Sequence, residues 1–316
     1  MHANGKSKRP GRPCSLVPEF LRSEKISMND GLRGQAPGKF ATLSAGRTHY
    51  IQSGPEAGPI VVLIPGATIP CFVWEPLLPI LGAAGYRTIT YDLYGRGYSD
   101  RPELVYDSDL HRTQLEELLE YLYVRKPVHL VQLAFGALIG AAFALARPRQ
   151  VLGWTAIGAD GFGVRFSLAG RLLQTPYLGD SLFDLIGNRF LVGRMRDYAR
   201  DPARVADITN RYAATLQWKG FKRAVSSSVR NMPIHDSAQL YRRMSEQGTR
   251  ALIVYGRDDR VTPYPGEERL RRAFPQNAEF HVLEGVGHLP QVELPEQTGD
   301  LILRFLGNCD TPPTGK

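Results

Sequence analysis

The chain is poor in cysteine. Cys14, Cys71 and Cys309 are its only three, and no CxxC or CxxxC spacing joins them, which argues against a zinc site and against a disulfide framework. No apolar run approaches the roughly 18 residues needed to cross a bilayer, so an integral membrane protein is not expected. The first 38 or so residues lack the apolar stretch of a secretory signal. Their scattered Gly, Pro and acids also fit an organellar transit peptide poorly; a disordered basic tail over 1–38, or sequence upstream of a start at Met28, fits better. Charge of one sign is scarce once it is located. Of the net +8, eight Lys/Arg against three Asp/Glu within residues 1–39 account for +5, and the remaining chain is only mildly basic. That is a solubility feature and gives no reason to expect nucleic acid as a partner.

What remains is 316 residues with 43% hydrophobic and 22% charged content, enough for one large α/β domain with an insertion. The apolar run Ile60–Ile64 closes on Pro65-Gly66-Ala67-Thr68, as a buried parallel strand feeding a loop would. Short strands are expected at 40–43 and 48–53 around Ala45-Gly46, and a further strand at 88–92. Helices are expected at 76–84 and 109–124, the second from Leu110, Leu115, Leu118, Leu119 and Leu122. Then Val128 to Leu133 runs, through Ala134-Phe135-Gly136, straight into an Ala-rich helical stretch. A strand that becomes a helix within three residues is a sharp turn.

Further on, Val151 to Ile157 reads as strand six and ends in Gly158-Ala159-Asp160. Strand–helix alternation stops there: from about 163 to 248 the pattern is helical, rich in Arg and aromatics, and without a convincing strand. The core resumes with Ala251–Tyr255 before Gly256-Arg257-Asp258-Asp259-Arg260-Val261-Thr262-Pro263, a helix at 267–274, a strand at 278–283, the loop Gly285-Val286-Gly287-His288-Leu289-Pro290, and a closing helix at 295–306.

The order of these motifs resembles the α/β-hydrolase family over residues 40 to 308: a strand-to-helix elbow, then strand-GxDDxxxP, then strand-GxGHxP. Tyr91-Asp92-Leu93-Tyr94-Gly95-Arg96-Gly97-Tyr98-Ser99 is similar to the family's D-x-x-G-x-G-x-S loop, read as structural. The resemblance implies an α/β fold with a mostly parallel eight-stranded sheet, helices on both faces and a helical cap inserted after strand six. The chain then divides into a tail (1–38), core (39–162), cap (163–248), core (249–308) and a second tail (309–316). It implies His288 as base and Asp259 as its acid, with Asp160 as an alternative acid. The oxyanion donors would be the backbone N–H groups of Ala67 and Phe135. Gly66, Thr68, Trp218 and Leu289 are the expected substrate-binding residues, the tryptophan from a stretch (216–230) similar to a last cap helix.

Two positions depart from the family's Gly-x-Ser-x-Gly elbow, Gln132 in place of the first glycine and Ala134 in place of the nucleophile; a third departure, outside the elbow, is Pro65 in place of the usual histidine of the oxyanion loop. Alanine has no nucleophilic atom, so covalent catalysis from position 134 is chemically excluded. Neither Cys71 nor Ser226 to Ser228 has a context that places it on His288. The retained Gly136, Asp259 and His288 suit a hydrolase of small, largely apolar carboxylic esters that has lost its serine through one Ser→Ala change, although one change does not produce Gln132. As written, the protein is expected to be inactive or substrate-trapping. Two alternatives stand beside this: a non-catalytic ligand-binding protein, and chemistry run by the His288–Asp259 dyad without a covalent step. No cofactor or metal is expected, the expected location is cytoplasmic, and the sequence leaves the oligomeric state open.

Overall fold

Strands that are apolar at every position, such as Ile60–Ile64, need cover on both faces. The structure, a computed structural model, describes residues 23–163, 175 and 178–310. Eight strands form one sheet: β1 (Lys39–Leu43), β2 (Gly46–Ser53), β3 (Ile60–Ile64), β4 (Arg87–Tyr91), β5 (Val128–Leu133), β6 (Val151–Ile157), β7 (Ala251–Gly256) and β8 (Ala278–Leu283). Their spatial order is β1-β2-β4-β3-β5-β6-β7-β8. β1 and β2 make an antiparallel edge, and from β4 to β8 every pairing is parallel.

Side chains alternate across the sheet as the two-residue period requires. Val62 and Ile64 of β3 enter one apolar layer, and Val61 and Leu63 enter the other; Ile253 and Leu252 of β7 divide in the same way. Before the first layer's cover come α1 (Asp30–Arg33) and α2 (Leu78–Ala83). The first layer lies under α3 (Ser108–Tyr121) and α4 (Gly136–Ala146). α3 begins where the Asp107 carboxylate accepts the Leu110 N–H at 2.9 Å, and it buries Leu115, Leu118 and Leu119, the stripe its spacing predicts.

Between β6 and β7 the described residues hold helices and no strand: α5 (Leu178–Arg194), α6 (Ala206–Thr215), α7 (Phe221–Asn231) and α8 (Ala238–Glu246). The first three send Phe183, Ile208, Tyr212 and Phe221 into the second layer, and α8 packs Tyr241 and Met244 into the first. After β7 come α9 (Glu267–Ala273), α10 (Pro290–Glu293) and α11 (Pro295–Asp310); α11 covers the second layer with Ile302, Phe305 and Leu306.

Of the basic tail expected over 1–38, residues 23–38 are described and lie against the body. Lys25 and Ile26 donate their N–H groups to the Gln217 carbonyl, Glu24 accepts from the N–H groups of Gly220 and Lys222, and Arg33 pairs with Asp100. Residues 1–22, 164–174, 176–177 and 311–316 lie outside the described residues, and with them parts of the expected tails and cap. Among the described residues, no helix is long and apolar enough to cross a membrane.

Candidate active site

β5 is buried throughout and reaches α4 with only Ala134 and Phe135 between them. Ala134 has φ +46°, a left-handed conformation that costs an alanine of order 1–2 kcal/mol. The end of β6 enforces it: the Ala134 N–H donates to the Ile157 carbonyl at 2.8 Å, and its carbonyl accepts from the Asp160 N–H at 3.3 Å. Close packing selects Gly136, because a Cβ there would stand 2.7 Å from the carbonyl oxygens of Ile64 and Pro65. The unexpected Gln132 has a partner in space. A Cβ on Gly140 would fall 2.5 Å from Gln132 Nε2, so glycine on the helix makes room for a large residue on the strand. The buried Gln132 amide has no hydrogen-bond partner among the described residues.

Neither the Ala67 nor the Phe135 N–H has an acceptor among the described residues, so each is able to donate to a ligand oxygen. Arg96, wholly buried, braces both segments. Its Nε donates to the Ala67 carbonyl at 2.8 Å, its Nη2 to Ser228 Oγ at 2.8 Å, and its guanidinium carbon lies 5.9 Å from the centre of the Phe135 ring. Burial pulls its pKa down to about 10.

The dyad comes from two loops at the carboxyl ends of β7 and β8. Asp259 Oδ1 accepts the N–H groups of Val261 and Thr262, each at 2.8 Å, which aims Oδ2 at His288 Nδ1, 2.8 Å away. Thr262 Oγ1 lies 2.9 Å from Asp259 Oδ2 and 3.0 Å from His288 Nδ1, and donates to the Gly158 carbonyl at 2.9 Å. Asp258, the other member of the pair, turns outward to Arg200. With Nδ1 engaged, Nε2 is the ring nitrogen of His288 without a partner among the described residues, the arrangement a base requires.

The segment that follows α5, and α10, fix this histidine. Its N–H donates to the Tyr198 carbonyl at 2.8 Å, the Tyr198 ring meets it edge-on at 5.2 Å, and the Tyr198 hydroxyl lies 3.3 Å from Thr68 Oγ1. The buried Glu293 carboxylate accepts from the N–H groups of Gly287 (2.7 Å) and Arg200 (2.8 Å), clamping the histidine loop to the cap. Tyr198 and Glu293 carry no motif, and the sequence reading missed both. Thr262 had a signal, sitting three residues after Asp259 in the same loop.

Elbow and dyad converge on the end of β6. Ile157 and Asp160 hold Ala134, and at Gly158, between them, a Cβ would stand 3.2 Å from both Asp259 Oδ2 and His288 Nδ1. Gly66 and Thr68 lie on the loop after β3, and Leu289, fully buried, follows the histidine. Trp218 lies elsewhere: it packs on Tyr98 at 5.0 Å and lines a separate 200 Å³ cavity with His49, Cys71 and Asp92. There burial pushes the Cys71 thiol well above its ordinary range, in keeping with the expectation that it is no nucleophile.

A larger cavity, about 710 Å³, borders the dyad at Thr262, although neither Ala134 nor His288 lines it. Its wall includes Asp160, Phe162, Asp197 and the residues Arg189, Arg194, Arg196 and Arg260, none of these arginines ion-paired with a carboxylate among the described residues. Burial raises the Asp160 pKa from 3.8 to about 7; Asp259 adds to the rise, while His288 and Arg194 oppose it.

Residues 61–301 match the alpha/beta hydrolase family. A 2-hydroxy-6-oxononadienedioate/2-hydroxy-6-oxononatrienedioate hydrolase from Pseudomonas putida is 30% identical over 288 residues, covering 85% of this chain and 96% of its own. Lipase 1 from Psychrobacter immobilis is 25% identical over 91% of this chain and 90% of its own. Among solved structures, a meta-cleavage product hydrolase from Pseudomonas fluorescens, a serine-to-alanine mutant complexed with acetates, superposes with a TM-score of 0.69 at 25% identity, covering 86% of this chain and 98% of its own. The sheet order, the elbow at Ala134 and the matched sequence together place this chain in the alpha/beta hydrolase family.

Proposed function

We propose that the protein is an acyl hydrolase in which Ala134 occupies the place of a serine nucleophile, with His288 as base, Asp259 as its acid, and the N–H groups of Ala67 and Phe135 as oxyanion donors. One observation carries this reading: Ala134 is held at φ +46° by the end of β6, the same segment against which the His288–Asp259 pair packs. An alanine gains nothing from that backbone, whereas a serine hydroxyl displayed there would gain a base.

The substrate is a small acyl compound, an ester or a carbonyl-activated relative of one, that also carries a carboxylate. The unpaired arginines of the 710 Å³ cavity support the carboxylate, and so do the dioate names of the Pseudomonas putida relative's substrates. This departs from the largely apolar ester expected from the sequence. With Ala134 the protein binds such a compound and does not turn it over by the covalent route. The test is Ala134→Ser assayed on 4-nitrophenyl butyrate and on mono-4-nitrophenyl glutarate. Turnover of both, with the lower KM for the glutarate, is the expected result. A folded Ala134→Ser protein without activity on either ester would sink the reading.

A further inference from the structure

Asp160 stands at the end of β6, where the sequence offered it as an alternative acid for His288. Asp259 holds that position, so the Asp160 carboxyl is left over. Its backbone is anchored on both sides: the N–H donates to the Ala134 carbonyl at 3.3 Å, and the carbonyl accepts from the Tyr241 hydroxyl at 2.6 Å. The side chain makes no hydrogen bond to any described residue, yet the residue is only 8% exposed and lines the 710 Å³ cavity beside Thr262 and Arg194. A buried carboxyl without a partner is costly unless it keeps its proton or meets a ligand.

The ionisable groups around it include His288 and Asp259 from the loops after β8 and β7, Arg194 from α5, Tyr255 from β7 and Tyr241 from α8, and the same cavity is lined by Arg189, Arg196, Arg260, Tyr264 and one further acid, Asp197. Four arginines against Asp160 and Asp197 leave the cavity lining net positive, which selects against a cationic ligand. An ionised Asp160 would repel a carboxylate, whereas a neutral one would donate to it.

We propose that Asp160 is a ligand-binding acid, whose protonated carboxyl donates a hydrogen bond to a carboxylate oxygen of the molecule held in the arginine-lined cavity. This rests on the carboxylate-bearing substrate proposed above and names the group that grips it beside the dyad. Because burial brings Asp160 to titrate at about pH 7, the grip is complete below that pH and is lost as the group ionises above it.

The test is calorimetric titration of the full chain, with its Ala134, by adipate, an unreactive dicarboxylate, at pH 6.0 and 8.5. The native protein is expected to bind about 30-fold more weakly at the higher pH, the factor for one proton lost near pH 7. Asp160→Asn, which keeps a donor and cannot ionise, should bind with similar affinity at both, and Asp160→Leu should bind weakly at both. An unchanged slope in Asp160→Asn, or no adipate binding at either pH, overturns the proposal. Failures remain separable. Ester turnover by Ala134→Ser without adipate binding sinks the Asp160 proposal and leaves the hydrolase reading intact, and the reverse result does the opposite.

Discussion

Two histidines in this protein look alike at first contact. His288 and His49 are both buried, and each places Nδ1 2.8 Å from the Oδ2 of a buried aspartate, Asp259 or Asp92. They differ at the other ring nitrogen. His49 Nε2 ends on the Pro37 carbonyl, and Asp92 also accepts from the N–H groups of Cys71 and Tyr98. Both nitrogens of His49 therefore face oxygen acceptors. Burial disfavours its charge, but Asp92 and the Pro37 carbonyl outweigh burial and raise its pKa; burial likewise works against the Asp92 charge, but His49 and the two N–H groups hold that carboxyl below its usual range. This pair is a closed joint between the β2 edge and the loop after β4. The His288 pair has the same bond length but leaves Nε2 without a partner among the described residues, at the carboxyl ends of the strands, where this architecture gathers its reactive groups. A histidine–carboxylate pair becomes a base through the nitrogen that the fold leaves open.

The sharpest way to break that comparison starts with the nucleophile. Ala134→Ser is expected to raise ester turnover by on the order of 10⁴, and His288→Ala in that background to remove a similar factor. His49→Asn in the same background should leave kcat within about threefold, measured on mono-4-nitrophenyl glutarate. If both histidine variants lower kcat equally, the distinction between the pairs is wrong.

His49→Asn should instead lower stability, by about 3–5 kcal/mol, because it strands the buried Asp92. The sign follows from the two shifts. The raised His49 pKa contributes stability that is complete below its unfolded value of 6.5 and fades as pH rises through the folded value. The lowered Asp92 pKa contributes stability present above 3.8 and lost as pH falls through the folded value. The deficit measured by urea denaturation should therefore be largest between those values and shrink toward pH 9; a deficit independent of pH would assign it to packing alone.

Asp160 allows a smaller test on the open side. Its pKa is raised by folding, so the native protein should lose stability as pH climbs from 3.8 to about 7. Asp160→Asn removes that loss and should be more stable than the native protein at pH 8 by roughly 2–4 kcal/mol, with no gain at pH 4. Equal unfolding midpoints at pH 8 would contradict it. The smallest effect concerns the scaffold beneath the elbow. Gly140→Ala should cost about 1–3 kcal/mol by driving a methyl into Gln132, and Gln132→Ala should relieve most of it. Additive costs in the double variant would mean that the two positions do not share that space.

Much of the architecture is legible in the chain because strands and turns are local patterns. The all-apolar Ile60–Ile64, Val128–Leu133 and Ala251–Tyr255 each announce a strand covered on two sides, and glycine marks the turns that follow. The dyad is legible because its loops carry short motifs next to strand ends. Other parts were not. Thr68, Tyr198 and His288 touch across separations of 90 residues or more, Glu293 joins the cap to the histidine loop, and Arg96 braces Ala67, Phe135 and Ser228; none of these contacts leaves a local trace. Trp218, expected at the substrate, faces the closed histidine pair, because an aromatic on an amphipathic segment does not declare which cavity it will line.

The sequence by itself determined that residues 40 to 308 form an α/β-hydrolase with an alanine at its elbow, since periodicity and motif order depend on neighbours along the chain. Only the tertiary structure decided which histidine keeps a nitrogen, and which aspartate a carboxyl, without a partner among the described residues, and why Gln132 fits beneath the helix. Those outcomes depend on how distant segments fill shared space, and hydrogen-bond saturation is a property of that packing.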